Sequence, residues 1–185
     1  MMRIAIGSTT LSITMWSSFH EARAAAKGEV VLVNEDSLGV GPVYEIAQFT
    51  DSPDFSPGQV IYLQTESDSS VPTVLGMEWA GERWIGCNSH LYVLSPALEV
   101  SRSIDLEEPF ASFYVHGSRA MLFVTSETGI WAFSADGDLN WKSSFDVITG
   151  VRWHDGFVLV GQMDGPEVVV DLANGKSKQH IRENQ

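Results

Sequence analysis

Cysteine occurs once, at Cys87, so no disulfide forms within the chain and none contributes to its stability. Basic side chains are also scarce, with 11 Lys and Arg against 24 Asp and Glu and a net charge of −13 at pH 7. The long-range field of such a chain repels phosphate backbones and anionic lipid, so neither nucleic acid nor a membrane surface is an expected partner. No apolar run is long enough to span a bilayer. The glycine-rich phosphate loop, the dinucleotide fingerprint and the Gly-x-Ser-x-Gly elbow are missing too, and kinase, simple P-loop and α/β-hydrolase chemistries drop out with them. Met1-Met2-Arg3 and Ala22-Arg23-Ala24 faintly mimic a cleaved secretory leader. The Ser and Thr residues between Ser8 and Thr14, and the pair His20-Glu21, interrupt that pattern. The expected location is cytoplasmic.

What is present is repetition. Three similar segments of about 38 residues fill the region from Thr73 to Arg182, each reading as four short strands with turns at matching offsets. Met77, Trp79 and Gly81 in the first correspond to Phe113, Val115 and Gly117 in the second and to Val151, Trp153 and Gly156 in the third. Alternation at period two puts one set of side chains on one face, and glycine supplies the positive φ that a two-residue hairpin requires. The second strands, Trp84 to Cys87, Met121 to Val124 and Phe157 to Val160, are continuously apolar, as strands buried on both faces are. The third strands, Leu91 to Leu94, Ile130 to Phe133 and Val168 to Val170, end at Ser95-Pro96-Ala97, Ala135-Asp136-Gly137 and Ala173-Asn174-Gly175, residues that favour turns. Polar outer strands, Val100 to Leu106, Leu139 to Phe145 and Ser177 to Arg182, complete the units.

Two of these turns carry a family likeness. Phe133-Ser-Ala-Asp-Gly-Asp-Leu-Asn-Trp141 and Val170-Asp-Leu-Ala-Asn-Gly-Lys176 resemble the strand-turn-strand signature of the quinoprotein-type (PQQ-like) β-propeller repeat, over about residues 73–182. The resemblance implies radially arranged blades. It implies no quinone or calcium site here, because neither can be placed on these residues, and no cofactor is expected. The expected fold is all-β, a small or incomplete β-propeller of about four to five four-stranded blades with one short N-terminal helix. A chain of this size buries about 70% of its unfolded surface as a single domain, residues 1–185, with blade repeats at 73–108, 109–146 and 147–185.

The first 72 residues fit the repeat badly. Arg3 to Ile6 and Leu11 to Trp16 read as a strand pair, and Ser18 to Lys27 as a short alanine-rich helix stopped at Gly28. Val30 to Val33, Val43 to Phe49 and Val60 to Leu63 read as further strands. The acidic, turn-rich segments Thr50 to Gly58 and Thr65 to Ser70 read as loops. This region is expected to hold degenerate blades, or else to form a cap over an open sheet edge.

Candidate contact residues come from position. Glu78 and Arg152 adjoin inner-strand tryptophans and are candidates to line a central channel. His116 and His154 sit beside equivalent hairpin turns, with Asp155 near, where two imidazoles of adjacent blades can approach one ligand. Of six tryptophans, Trp16 and Trp141 are the ones expected at the surface, where an aromatic ring anchors a partner. Asp136-Gly-Asp138-Leu-Asn140 imitates half a calcium loop, but Trp141 and Val147 stand where glycine and glutamate belong, so no metal site is expected. No catalytic residue is assigned.

The reading that follows is a non-catalytic protein-binding module, in its sharper form an inhibitor or immunity-type protein masking a basic partner, as monomer or homodimer. A carbohydrate- or small-ligand-binding propeller is the second reading. A hydrolase or lyase with a channel-lining site is the third.

Overall fold

The computed structural model describes residues 2–6, 9–17, 19–25, 29–33, 43–49, 59–64, 75–95 and 99–179 of the 185-residue chain. The chain divides into two compact units, Met1–Asp105 and Leu106–Gln185. The loops expected at Thr50 to Gly58 and Thr65 to Ser70, and everything after Gln179, lie outside the described residues.

The first unit opens with β1 (Met2–Ile6), β2 (Thr9–Trp16), helix α1 (Phe19–Ala25), β3 (Glu29–Val33), β4 (Val43–Phe49) and β5 (Gln59–Gln64). The strands form a five-stranded sheet in the order β1-β2-β4-β5-β3. All neighbours in it are antiparallel except β3 and β5, which run parallel from Glu29↔Gln59 to Val33↔Leu63. A parallel pair needs a crossover instead of a hairpin, and here β4 intervenes in sequence.

The repeats form three four-stranded antiparallel sheets in sequence order. The first, still in the first unit, comprises β6 (Leu75–Trp79), β7 (Glu82–Cys87), β8 (His90–Leu94) and β9 (Val100–Asp105). The second unit holds β10 (Phe110–His116), β11 (Met121–Ser126), β12 (Gly129–Phe133) and β13 (Leu139–Ser144), then β14 (Ile148–Trp153), β15 (Phe157–Gln162), β16 (Val168–Asp171) and β17 (Ser177–Gln179). Every strand of the repeats begins within a few residues of where the sequence pattern places it.

The hairpins differ in how they turn. Ala80 and Gly81 have φ of 54° and 73° between the last pair, Trp79↔Glu82, which is the two-residue turn whose twist matches flanking strands. In the second sheet the link is a 3-10 turn, Gly117–Arg119, and the positive φ falls on Ala120, at 47°, instead of on Gly117. In the third, His154 N–H donates to the Phe157 carbonyl at 2.9 Å, and neither Asp155 nor Gly156 takes a positive φ. The glycine rule read from the sequence therefore holds at Gly81 alone of the three.

Burial follows the apolar strands. Trp84, Leu91, Val93 and Leu94 of the first sheet are fully buried, as are Leu122, Phe123, Val124, Ile130 and Ala132 of the second. The core of the second unit lies between its two sheets, where Met121, Phe123, Ile130 and Ala132 meet Val158, Val160, Val170 and Leu172. Each large side chain so removed from water contributes about 1.5–3 kcal/mol. β15 breaks the expected pattern. Val158 and Val160 are fully buried but Phe157 is 37% exposed, and Leu159 between them is half-buried. The side chains on that face, Phe157 and Leu159, are less buried than Val158 and Val160 on the other.

Candidate functional site

Register places one residue from each strand in a row across a sheet, and directly paired residues share a face. In the second sheet the row is Tyr114, Phe123, Ala132 and Trp141. All four face the core described above. The equivalent row of the third sheet is Arg152, Leu159, Val169 and Lys178. Its centre is apolar and its outer strands carry charge. Leu159 and Val169 are half-buried, and Lys178 is exposed. Arg152 forms an ion pair with Glu167 on the same surface.

Two cavities open on this face. One, of about 400 Å³, is lined by Phe157, Val169, Asp171, Asn174, Lys176 and Lys178. The other, of about 210 Å³, is lined by Arg152, Leu159, Gly161 and Glu167 among others. Phe157 stacks on His154, with ring centroids 4.5 Å apart and planes 18° from parallel.

An antiparallel meander puts its first and third turns at one end and its second turn and entry loop at the other. At the first end of the second unit, His116 is buried, 7% exposed, with Nε2 3.6 Å from Asp155 Oδ1 and Nδ1 3.2 Å from Ser118 Oγ. Asp155 itself is 97% exposed. Arg119 Nε donates to the Asp155 carbonyl oxygen at 3.2 Å, a second link between the two hairpin turns. Tyr114 and Trp153 stack beneath them at 4.2 Å with planes 5° apart.

The opposite end is acidic. Glu107 and Glu108 lie on the entry loop, Glu127 on the turn after β11, Asp146 on the link between the sheets, and Asp164 on the turn after β15. Backbone hydrogen bonds tie these loops together: Glu127 N–H to Pro109 O at 3.0 Å, Ile148 N–H to Glu127 O at 2.7 Å and Met163 N–H to Val147 O at 2.8 Å. Lys142 reaches this end, pairing with Glu107 at 2.9 Å while its Nζ lies 5.0 Å from the Trp131 ring centre. Met163, 64% exposed, precedes Asp164 at this end.

The residues singled out from sequence scatter. His116 lies beside Asp155, while His154 stacks on Phe157. Arg152 lies on the less buried face of the third sheet, paired with Glu167. Glu78 is exposed on β6, paired in register with Arg83. Trp16 is half-buried on β2, in the first unit.

Trp141, expected at the surface, is half-buried instead. Its ring packs against Phe123 at 5.7 Å and its indole N–H is bonded to Leu172 O. The calcium-like run 136–140 folds as a turn in which Ser134 Oγ accepts from Asp136 N–H and Asp138 N–H, both at 3.2 Å. Among the described residues no three His, Cys, Asp or Glu side chains converge to hold a metal ion. Phe157, Met163 and the half-exposed Leu139 were not singled out by sequence. The available signal for Phe157 was charge at Arg152 and Lys178 where the preceding repeat has Tyr114 and Trp141.

With this geometry in view, the chain is similar to the crystal structure of BamB from Moraxella catarrhalis, with a TM-score of 0.51 at 12% identity, over 81% of this chain and 51% of that one. The crystal structure of HIRA(644-1017) matches at a TM-score of 0.48 and 9% identity, over 96% of this chain and 52% of that one. Both neighbours are β-propeller proteins. The likeness is one of fold: all-β, with four-stranded antiparallel sheets consistent with part of a propeller. The chain spans about half the length of these structures. No protein-family model matches the sequence, and no curated protein does.

Proposed function

We propose that the chain is a non-catalytic protein-binding module, built as an incomplete propeller of about four to five blades, that engages a basic protein through the acidic end of its second unit. In the sharper form of this reading it is an inhibitor or immunity-type protein that masks a basic effector. The observation that carries it is the grouping of Glu107, Glu108, Glu127, Asp146 and Asp164 on loops hydrogen-bonded to one another. The overall charge of −13 adds to their field at longer range. Fixed acidic loops steer a cationic partner and raise its association rate. Met163, next to Asp164, offers an adaptable apolar contact of the kind that tolerates varied partners.

The experiment is affinity capture with the whole chain as bait, read at low and at high salt. A basic partner is expected, with retention falling as the Debye length shrinks from about 10 Å at 0.1 M to about 3 Å at 1 M. A quintuple variant neutralising Glu107, Glu108, Glu127, Asp146 and Asp164 to Gln or Asn is expected to weaken capture at least tenfold. An acidic partner, salt-indifferent retention, or full binding by that variant would overturn the reading.

A further inference from the structure

We propose that the larger cavity on the third sheet, separate from the acidic end, is a binding site for a small monocarboxylate with an aromatic body. Its volume, about 400 Å³, falls within the range of small-molecule sites. Phe157 and Val169 give it an apolar wall. The Phe157 ring is steadied by His154, stacked on it at 4.5 Å, and an aromatic ligand packs on such a ring edge-on or offset. The polar part of the lining consists largely of donors. Lys176, Lys178 and the Ser177 hydroxyl belong to it. Asn174 does too, and its Oδ1 accepts the Lys176 backbone N–H at 2.9 Å, which leaves the amide NH₂ to donate to a ligand.

The two lysines stand apart from the other cations of this acidic chain. Arg102 pairs with Glu82, Lys142 with Glu107 and Arg152 with Glu167. Arg119 donates to the Asp155 carbonyl oxygen, and Arg83 is engaged as well. Among the described residues no ion pair joins Lys176 or Lys178 to a carboxylate. With 24 acidic side chains against 11 basic ones, cations without a carboxylate are the exception, and these two line one cavity. The lining also fixes the charge of the ligand. Asp171 is its single carboxylate, and Asp171 Oδ1 serves the turn by accepting the Ala173 N–H at 2.7 Å. Two ammonium groups against one carboxylate leave one positive charge, which a single negative charge balances. A dianion would exceed that balance and would meet the field of a chain carrying −13 with about twice the repulsion of a monoanion. A carboxylate also accepts several charge-assisted hydrogen bonds at once, as this set of donors requires.

The test is titration of the whole chain with phenylacetate at neutral pH, followed by amide NMR and calorimetry. Saturable binding is expected, with a dissociation constant of about 1 mM or tighter for a molecule of this size and with shifts centred on Phe157, Val169 and Lys178. Acetate, which lacks the ring, and phenylethanol, which lacks the charge, are each expected to bind about tenfold more weakly or worse. Lys176→Gln combined with Lys178→Gln is expected to weaken phenylacetate binding by about tenfold or more, with circular dichroism unchanged. Asp171→Asn keeps an oxygen for the Ala173 N–H and removes the opposing charge, so it is expected to tighten binding. The proposal is overturned if the wild type shows no saturation up to about 20 mM, if phenylethanol binds as well as phenylacetate, or if inorganic phosphate binds more tightly. A folded double-lysine variant that binds like the wild type overturns it too.

Discussion

The Trp141 indole N–H donates to the carbonyl oxygen of Leu172 at 3.2 Å, bridging 31 residues of sequence and joining the last strand of the second sheet to the turn after β16. Beside it Gly175, at φ 69°, comes so close that a Cβ there would lie 2.6 Å from Trp141 Cε3. Ser143 Oγ donates to the Gly175 carbonyl at 2.7 Å. This corner fixes the packing of the two sheets on each other.

Trp141→Phe removes the hydrogen bond and keeps most of the ring, and is expected to cost about 1 kcal/mol. Trp141→Ala is expected to cost about 3 kcal/mol. Gly175→Ala combines a steric clash with a left-handed backbone, and is expected to cost about 2 kcal/mol or more. Urea unfolding of the three variants, followed by tryptophan-independent circular dichroism, measures each cost. A Gly175→Ala chain as stable as wild type would remove the close approach.

The two aligned glycines Gly81 and Gly117 are expected to respond with opposite signs. A Cβ added at either would meet no atom within 4 Å, but only Gly81 has a left-handed φ, 73°. Gly81→Ala is expected to destabilise by about 1 kcal/mol through backbone strain. Gly117→Ala is expected to be neutral or to stabilise by about 0.5 kcal/mol by restricting the unfolded chain. Thermal melts of the pair decide it, and equal effects would contradict the assigned turns.

At the end holding His116, Asp155→Asn is expected to leave the unfolding midpoint unchanged, because a carboxylate 97% exposed to water gains little from an ion pair. His116→Ala is expected to cost about 2 kcal/mol, since it opens space at a buried position and takes a partner from Ser118. A double-mutant cycle with Asp155→Asn is expected to give a coupling near zero. A coupling above about 1 kcal/mol would mean that the pair is stronger than its exposure allows.

The sequence made the three repeats readable because their signals are local. Alternation in β6, β10 and β14, the turn chemistry at Asp136-Gly137 and Asn174-Gly175, and the polar outer strands each act within a few residues. The five-stranded sheet was harder to read: its strands could be found one by one, but the insertion of β4 between β2 and β5 and the parallel β3–β5 pair are set by distant partners. Trp141 looked like a surface residue because its neighbours Asn140 and Lys142 are polar. The contact that half-buries it lies on the next repeat. The exposed Phe157 was hidden in the opposite way, since Phe157 to Val160 reads like Met121 to Val124 and burial on the second face depends on what packs there. The acidic end was visible as charge, but its gathering depends on backbone bonds between loops of different strands.

The mixed β3–β5 pairing has a kinetic consequence. The three meanders close only short loops, each strand annealing to the one just before it, whereas the N-terminal sheet cannot finish until β5 has arrived on both β4 and β3. Chain-closure entropy delays that step, so the five-stranded sheet is expected to complete after the meanders.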